Sequence, residues 1–149
     1  MTKYKGTEEE VEALNTYIKL MRASKSVTDA AHSHLTKHRL TDTQFGVLET
    51  LYHLGGMCQR ELAEKNLTST ANITTVIDNL EKRKLVERVR NETDRRYITV
   101  SLTESGKELI GGIFPEHVKS IVRSFKALDR QEKETLGNIC KKLGKSQKA

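Results

Sequence analysis

The sequence predicts a mainly α fold carrying one small β-hairpin, and two patterns carry that expectation. Apolar residues recur at helical spacing through both ends of the 149-residue chain, as Val11, Leu14, Ile18 and Met21 do near its start. From Leu85 to Leu102 the period changes to two on either side of a polar bend, which is the mark of a half-buried ribbon.

The elements follow in order. A long helix is expected from residue 8 to about 38, too long to be covered by a small core alone. The next begins at Thr41, where Thr41 and Gln44 can form a capping box and Leu40 with Phe45 a hydrophobic staple, and it ends at Gly55-Gly56. Residues 59–67 make a short helix with Leu62 and Ala63 inward. Ser69 or Thr68 then caps a helix whose Ile73, Val76, Ile77 and Leu80 fall at i, i+3, i+4 and i+7. Its other face carries Ala71, Asn72, Thr75, Asp78, Asn79 and Lys82.

In the hairpin, Leu85, Val86 and Val89 supply one strand, and Ile98, Val100 and Leu102 alternate with Tyr97, Thr99 and Ser101 in the other. Nothing apolar lies between Arg90 and Tyr97, so the bend, including Arg95 and Arg96, is expected to project into solvent. Leu109, Ile110, Ile113 and Phe114 open a further long helix that Pro115 should kink or interrupt before Val118, Ile121, Val122 and Phe125. Asp129 with Glu132 caps the last helix, whose stripe is Leu136, Ile139, Cys140 and Leu143, with Cys140 expected in the core.

Two short helices followed by a hairpin make a winged helix-turn-helix. Short polar and methyl-bearing groups on the second helix suit an approach to base edges: asparagine pairs bidentately with adenine, and threonine or alanine methyls meet the thymine methyl. An arginine on the projecting bend suits a narrow minor groove, where negative potential is enhanced. The candidate DNA contacts are therefore Thr68, Ser69, Thr70, Ala71, Asn72, Thr74, Thr75, Asn79 and Lys82 on or before the helix, with Arg88, Asp94, Arg95 and Arg96 on the hairpin.

Residues 40–109, with their ELA helix, an LE-x-x-K-L-V-x-R helix end and a wing reading Asp94-x-Arg96-x5-Leu102-Thr103, resemble the core of the MarR family of bacterial transcription regulators. Lys84 stands where that family usually has a glycine, a residue favoured there for its left-handed conformation. The resemblance implies a repressor with a small-molecule pocket where long flanking helices meet the winged core. Candidate walls are Tyr17, Met21, Phe45, Leu48 and Ile113, which serve equally well as plain core. It also implies that Arg96 is the more ordered of the two wing arginines, paired with Asp94, with Arg95 freer beside the groove or backbone.

A net charge of +6 favours a polyanionic partner. There is no run of apolar residues long enough to span a bilayer and no basic-then-apolar leader, so no membrane partner and a cytoplasmic location are expected. No phosphate-binding loop, dinucleotide fingerprint, nucleophile elbow or zinc-protease motif is present, which argues against an enzyme and against a cofactor. His34 and His38 stand at i, i+4 with His32 close by and His53 or His117 as a distant third. That spacing is compatible with a metal, but solvated histidines at a helix end account for it too, and no metal site is assigned. Cys58, just ahead of the paired helices, is open either to redox sensing or to burial as a small hydrophobe.

The whole chain, 1–149, is read as a single domain: a winged core over about 40–103, flanked by dimerisation helices at about 8–38 and 104–144. The unmatched apolar stripes of those helices call for the same helices of a second subunit, so a homodimer on a palindromic, A·T-rich operator is expected. A redox- or metal-responsive regulator of the same fold, and a non-specific architectural DNA binder, are the alternatives.

Overall fold

A computed structural model describes residues 3–94 and 96–147. The order is α1 (Glu8–His32), a 3₁₀ turn (Leu35–His38), α2 (Asp42–Leu54), α3 (Gln59–Lys65), α4 (Thr70–Lys82), β1 (Val86–Arg90), β2 (Ile98–Leu102), α5 (Glu104–Ser124) and α6 (Arg130–Ser146). The fold is mainly helical with one antiparallel hairpin, as expected. The chain divides into two compact units, residues 33–117 and residues 1–32 with 118–149.

The unit of residues 33–117 is built around Phe45, Val47, Leu48 and Leu51 of α2, Leu62 of α3, the Ile73, Val76, Ile77 and Leu80 face of α4, and Ile110 and Ile113 of α5. All are essentially removed from water, and at about 1.5–3 kcal/mol for each large aliphatic side chain their burial is what holds these short helices. Local signals agree with that packing. Thr41 Oγ1 accepts from Gln44 N at 3.2 Å while Gln44 Oε1 accepts from Thr41 N at 3.1 Å, so the capping box closes in both directions. Gly55 stops α2 at φ 81, which the absence of a Cβ permits. Ser69 Oγ accepts from Asn72 N at 3.2 Å and starts α4.

The exit of α4 is where the sequence is most unusual. Lys84 adopts φ 58, its N–H bonding Glu81 O at 2.8 Å and the Leu85 N–H bonding Leu80 O at 3.0 Å. That pair of bonds is a Schellman cap completed by two buried leucines, Leu80 and Leu85. The burial of Leu85 holds a lysine in a conformation glycine adopts without cost. The hairpin pairs Val86 with Leu102 through Arg90 with Ile98, and Met57 adds an isolated antiparallel bridge to Val100. Thr103 Oγ1 then donates to Lys84 O at 2.7 Å and accepts from Gly106 N at 3.1 Å, tying the start of α5 to the end of α4.

Two expectations about helix extent are corrected. The first helix does not reach residue 38: it ends at His32, and the chain turns so that His34 and Leu35 are buried, with Arg39 at φ 54 as the left-handed cap of the 3₁₀ turn. Nor is α5 interrupted at Pro115. Ile110, Ile113, His117 and Ser120 are buried on one stripe spanning the proline, and their burial outweighs the missing backbone hydrogen bond to Gly111.

In the other unit, α1 buries only Ala31 and α6 buries nothing. Asp129 and Glu132 cap α6 reciprocally, each bond at 2.8 Å. Cys140, expected in the core, is exposed on α6, as are Leu136, Ile139 and Leu143 of the same stripe. Among the described residues no helix is long and apolar enough to cross a membrane.

Candidate DNA interface

The two faces of α4 divide as its period dictates. Ser69, Thr70, Ala71, Asn72, Thr75, Asn79 and Lys82 are exposed, and Thr68 is half-buried. Asn72 is oriented by its surroundings: one Nδ2 hydrogen goes to Thr68 Oγ1 at 2.7 Å, leaving Oδ1 and the second hydrogen for a base edge. Thr75 lies one turn further along the same stripe. Thr74 does not belong to this face. Its hydroxyl donates to Thr70 O at 2.9 Å and accepts from Gln59 Nε2 at 3.0 Å, because its position on the helix turns it toward α3.

Arg88 likewise faces inward, contrary to its expected place among the DNA contacts. Its Nε donates to Gln59 Oε1 at 3.0 Å, its Nη2 to Asp78 Oδ1 at 2.5 Å and its Nη1 to Glu81. Partial burial works against its charge, but the bonds it donates to Asp78 and Glu81 prevail and hold its pKa above the ordinary arginine value. One guanidinium thus joins α3, α4 and β1 and engages both acidic side chains of α4. Period-two reasoning assigns Arg88 a face; it does not reveal that Asp78 and Glu81, ten and seven residues earlier, turn toward it.

At the wing tip, Asn91 Oδ1 accepts from Thr93 N, Thr93 Oγ1 and Asp94 N at 2.8, 2.6 and 3.1 Å, an Asx-type turn. Asp94 then grips Arg96 through the backbone N–H, Nε and Nη2, each at 3.1 Å. The side-chain bond to Arg96, and next the backbone bond, hold the Asp94 carboxyl below its usual range. The Arg96 guanidinium still faces solvent. Arg95 lies outside the described residues. Asn91 was missed by the sequence reading, although an asparagine opening a polar bend is its own signal.

The five proposed pocket walls do not behave alike. Phe45, Leu48 and Ile113 are 1%, 0% and 2% exposed in the winged unit's core, while Tyr17 and Met21 are exposed on α1 in the other unit. The histidines also depart from expectation. His34 and His117 are buried, their ring centroids 5.4 Å apart, with Phe45 4.5 Å from His117. Among the described residues no group of three or more histidine, cysteine or acidic side chains is placed to hold a metal ion. Cys58 is half-buried at the start of α3, its N–H donating to Glu61 Oε2 at 2.9 Å.

Known proteins share this fold. A family model described as "MarR family" matches residues 40–98. The HTH-type transcriptional regulator MhqR of Bacillus subtilis (strain 168) is 36% identical over 132 residues, which cover 89% of this chain and 91% of that protein. The chain belongs to the MarR family. It is a MarR-family transcription regulator with a DNA-binding fold, not an enzyme. Among solved structures it is similar to AbsC, a MarR family transcriptional regulator from Streptomyces coelicolor, with a TM-score of 0.82, 25% identity and 99% of each chain covered. It shares the fold of Sco3205, a MarR family regulator from the same organism solved in complex with DNA. There the TM-score is 0.81 at 22% identity, over 97% of this chain and 91% of that one.

Proposed function

We propose that this MarR-family regulator is a repressor that binds a palindromic, A·T-rich operator as a homodimer and leaves it when a small-molecule effector binds. The observation that carries the reading is the outer face of α4, where Asn72, Thr75 and Asn79 stand exposed in one stripe while both carboxylates of the helix are drawn away by Arg88. Short amide and hydroxyl groups read base edges, whereas a protein that merely coats DNA has no use for them. No arginine stands on this stripe before Arg83, so the bidentate arginine–guanine contact is scarce and A·T pairs are favoured.

Dimer formation is supported by the terminal helices, where Tyr17, Met21, Ile139 and Leu143 are between 46% and 60% exposed. A two-fold pair presents two copies of α4 to a palindrome. Release by an effector, and a cytoplasmic site of action, are the parts of the reading that kinship supplies.

Selection from random duplex DNA, followed by binding measurements on the winning sequence, tests the core of the proposal. An A·T-rich inverted repeat is expected, and a G·C-rich half-site would overturn the base preference. Sedimentation of the free protein should give a dimer, and deletion of residues 1–38 should give aggregate or unfolded chain. A folded, monomeric truncation that still binds operator would defeat the dimer. A thermal-shift screen with phenolic compounds should return at least one ligand that also lowers operator affinity.

A further inference from the structure

Arg39, Gln44, Asn79, Lys82 and Arg83 converge from three elements on one surface concavity of about 480 Å³. We propose that this concavity, resting on the DNA-binding reading above, holds a backbone phosphate of the bound duplex, with Arg39 and Lys82 as its cationic contacts. It adjoins the base-reading stripe of α4, with which it shares Asn79, and is separate from the wing.

Geometry places it where a phosphate should be. From Asn72 to Lys82 an α-helix rises about 15 Å, and the major groove is about 12 Å wide. A helix whose first turns meet base edges therefore carries Lys82 out to the wall of the groove, where the sugar-phosphate strand runs. Asn79 and Lys82 continue the Asn72 and Thr75 stripe at the spacing that keeps residues on one helical face. Arg39 joins them from outside the helix because the left-handed cap at φ 54 turns the chain there.

The site is also held in place. Arg83 donates through Nη1 to Arg39 O at 2.8 Å and through Nη2 to His38 O at 3.2 Å, which fastens the turn that carries Arg39 to the end of α4. Gln44 Oε1 is occupied by Thr41 N, so its amide group is left as a donor. Among the described residues no carboxylate pairs with Arg39 or Lys82. The acidic neighbours on α4, Asp78 and Glu81, are bonded to Arg88 on another side of that helix. Cations and amide donors around a concavity, with the two α4 carboxylates engaged by Arg88, fit an oxyanion.

The test uses full-length protein with Arg39→Gln, Lys82→Gln and both changes, on the operator selected from random duplex DNA and on an unrelated duplex, across a salt series. Each cation removed should flatten the plot of log affinity against log salt by about one for each subunit bound. Affinity should fall by a similar factor on both duplexes, leaving the base preference from a repeated selection unchanged. Unaltered affinity and slope in a folded double variant would overturn the inference while leaving the DNA-binding reading intact. A shifted base preference would overturn it too, by making these residues base readers. Failure of the unmodified protein to bind either duplex would remove both readings. Should Arg39→Gln unfold, Arg39→Lys with Lys82→Gln keeps a charge at the turn and must still lose about one in slope per subunit.

Discussion

Arg88 on β1 donates from Nη2 to Asp78 Oδ1 on α4 at 2.5 Å, across the seam between the hairpin and that helix. Removing this guanidinium changes two things at once: the seam loses its fastening, and the negative charges of Asp78 and Glu81 are left uncompensated on the helix proposed to meet DNA. Arg88→Ala should therefore weaken operator binding more than its stability cost suggests. That cost is about 1 kcal/mol, since both carboxylates are more than a third exposed and solvent screens the pair. Adding Asp78→Asn and Glu81→Gln separates the effects: affinity should recover substantially while the melting temperature does not. If affinity stays low, the charge explanation is wrong and Arg88 acts by positioning alone.

Gly106 admits no side chain. A Cβ there would lie 2.0 Å from Leu85 O, a backbone atom that cannot swing aside. Gly106→Ala should cost about 3 kcal/mol by forcing α5 away from the helix exit. Chemical denaturation reads this directly, and a loss below about 0.5 kcal/mol would mean that α5 is not packed as described.

Lys84→Gly should stabilise the protein by about 1 kcal/mol, because the left-handed backbone at φ 58 disfavours any residue with a Cβ. Glycine's larger unfolded-state entropy trims the gain without reversing it. The check is a rise in melting temperature; a fall would show that the lysine side chain contributes more than its backbone loses.

The Asp94–Arg96 pair has a defined pH sign. Bonds from Arg96 depress the Asp94 carboxyl in the folded state, so its contribution is present above the unfolded aspartate value and lost as pH falls through the lower, folded one. Wing order should thus persist through neutral and mildly acidic solution and fail only below the usual aspartate range. Carboxyl NMR titration should place Asp94 below an ordinary aspartate, and Arg96→Ala should return it toward that value. An unchanged midpoint would rule out the pairing in solution.

Local chemistry was legible where it is written in neighbours. The Thr41–Gln44 and Asp129–Glu132 boxes and the Ile73 to Leu80 face each need only a short window of sequence, and each formed as read; in the second strand only Val100 is buried, Ile98 and Leu102 being half-buried like Thr99 and Ser101. What escaped depends on distant packing. The end of α1 at His32 is set by burial of His34 and Leu35, and the passage of α5 through Pro115 by burial on both sides of it. Arg88 and Thr74 read as surface groups because the partners that turn them inward, Gln59 and Asp78, lie on other elements or on the far side of a helix. Cys140 shows the reverse error: read as core, it is exposed on a stripe that the same reading assigned to a second subunit.

The bridge between Met57 and Val100 gives the wing a fulcrum. Met57 N bonds Val100 O at 3.1 Å and Val100 N bonds Met57 O at 2.9 Å, and the strand partner of Val100 is Arg88, itself fastened to α4. Both strands are therefore clamped at one level, and what lies beyond, about 10 Å of ribbon out to Tyr97, is a short cantilever. In the proposed complex with DNA, such a lever would let the hairpin beyond Val100 adjust while its root keeps its angle to α4. Amide hydrogen exchange would register the division as a step, with Met57 and Val100 opening only with the whole unit and amides past Thr99 exchanging by local fluctuation.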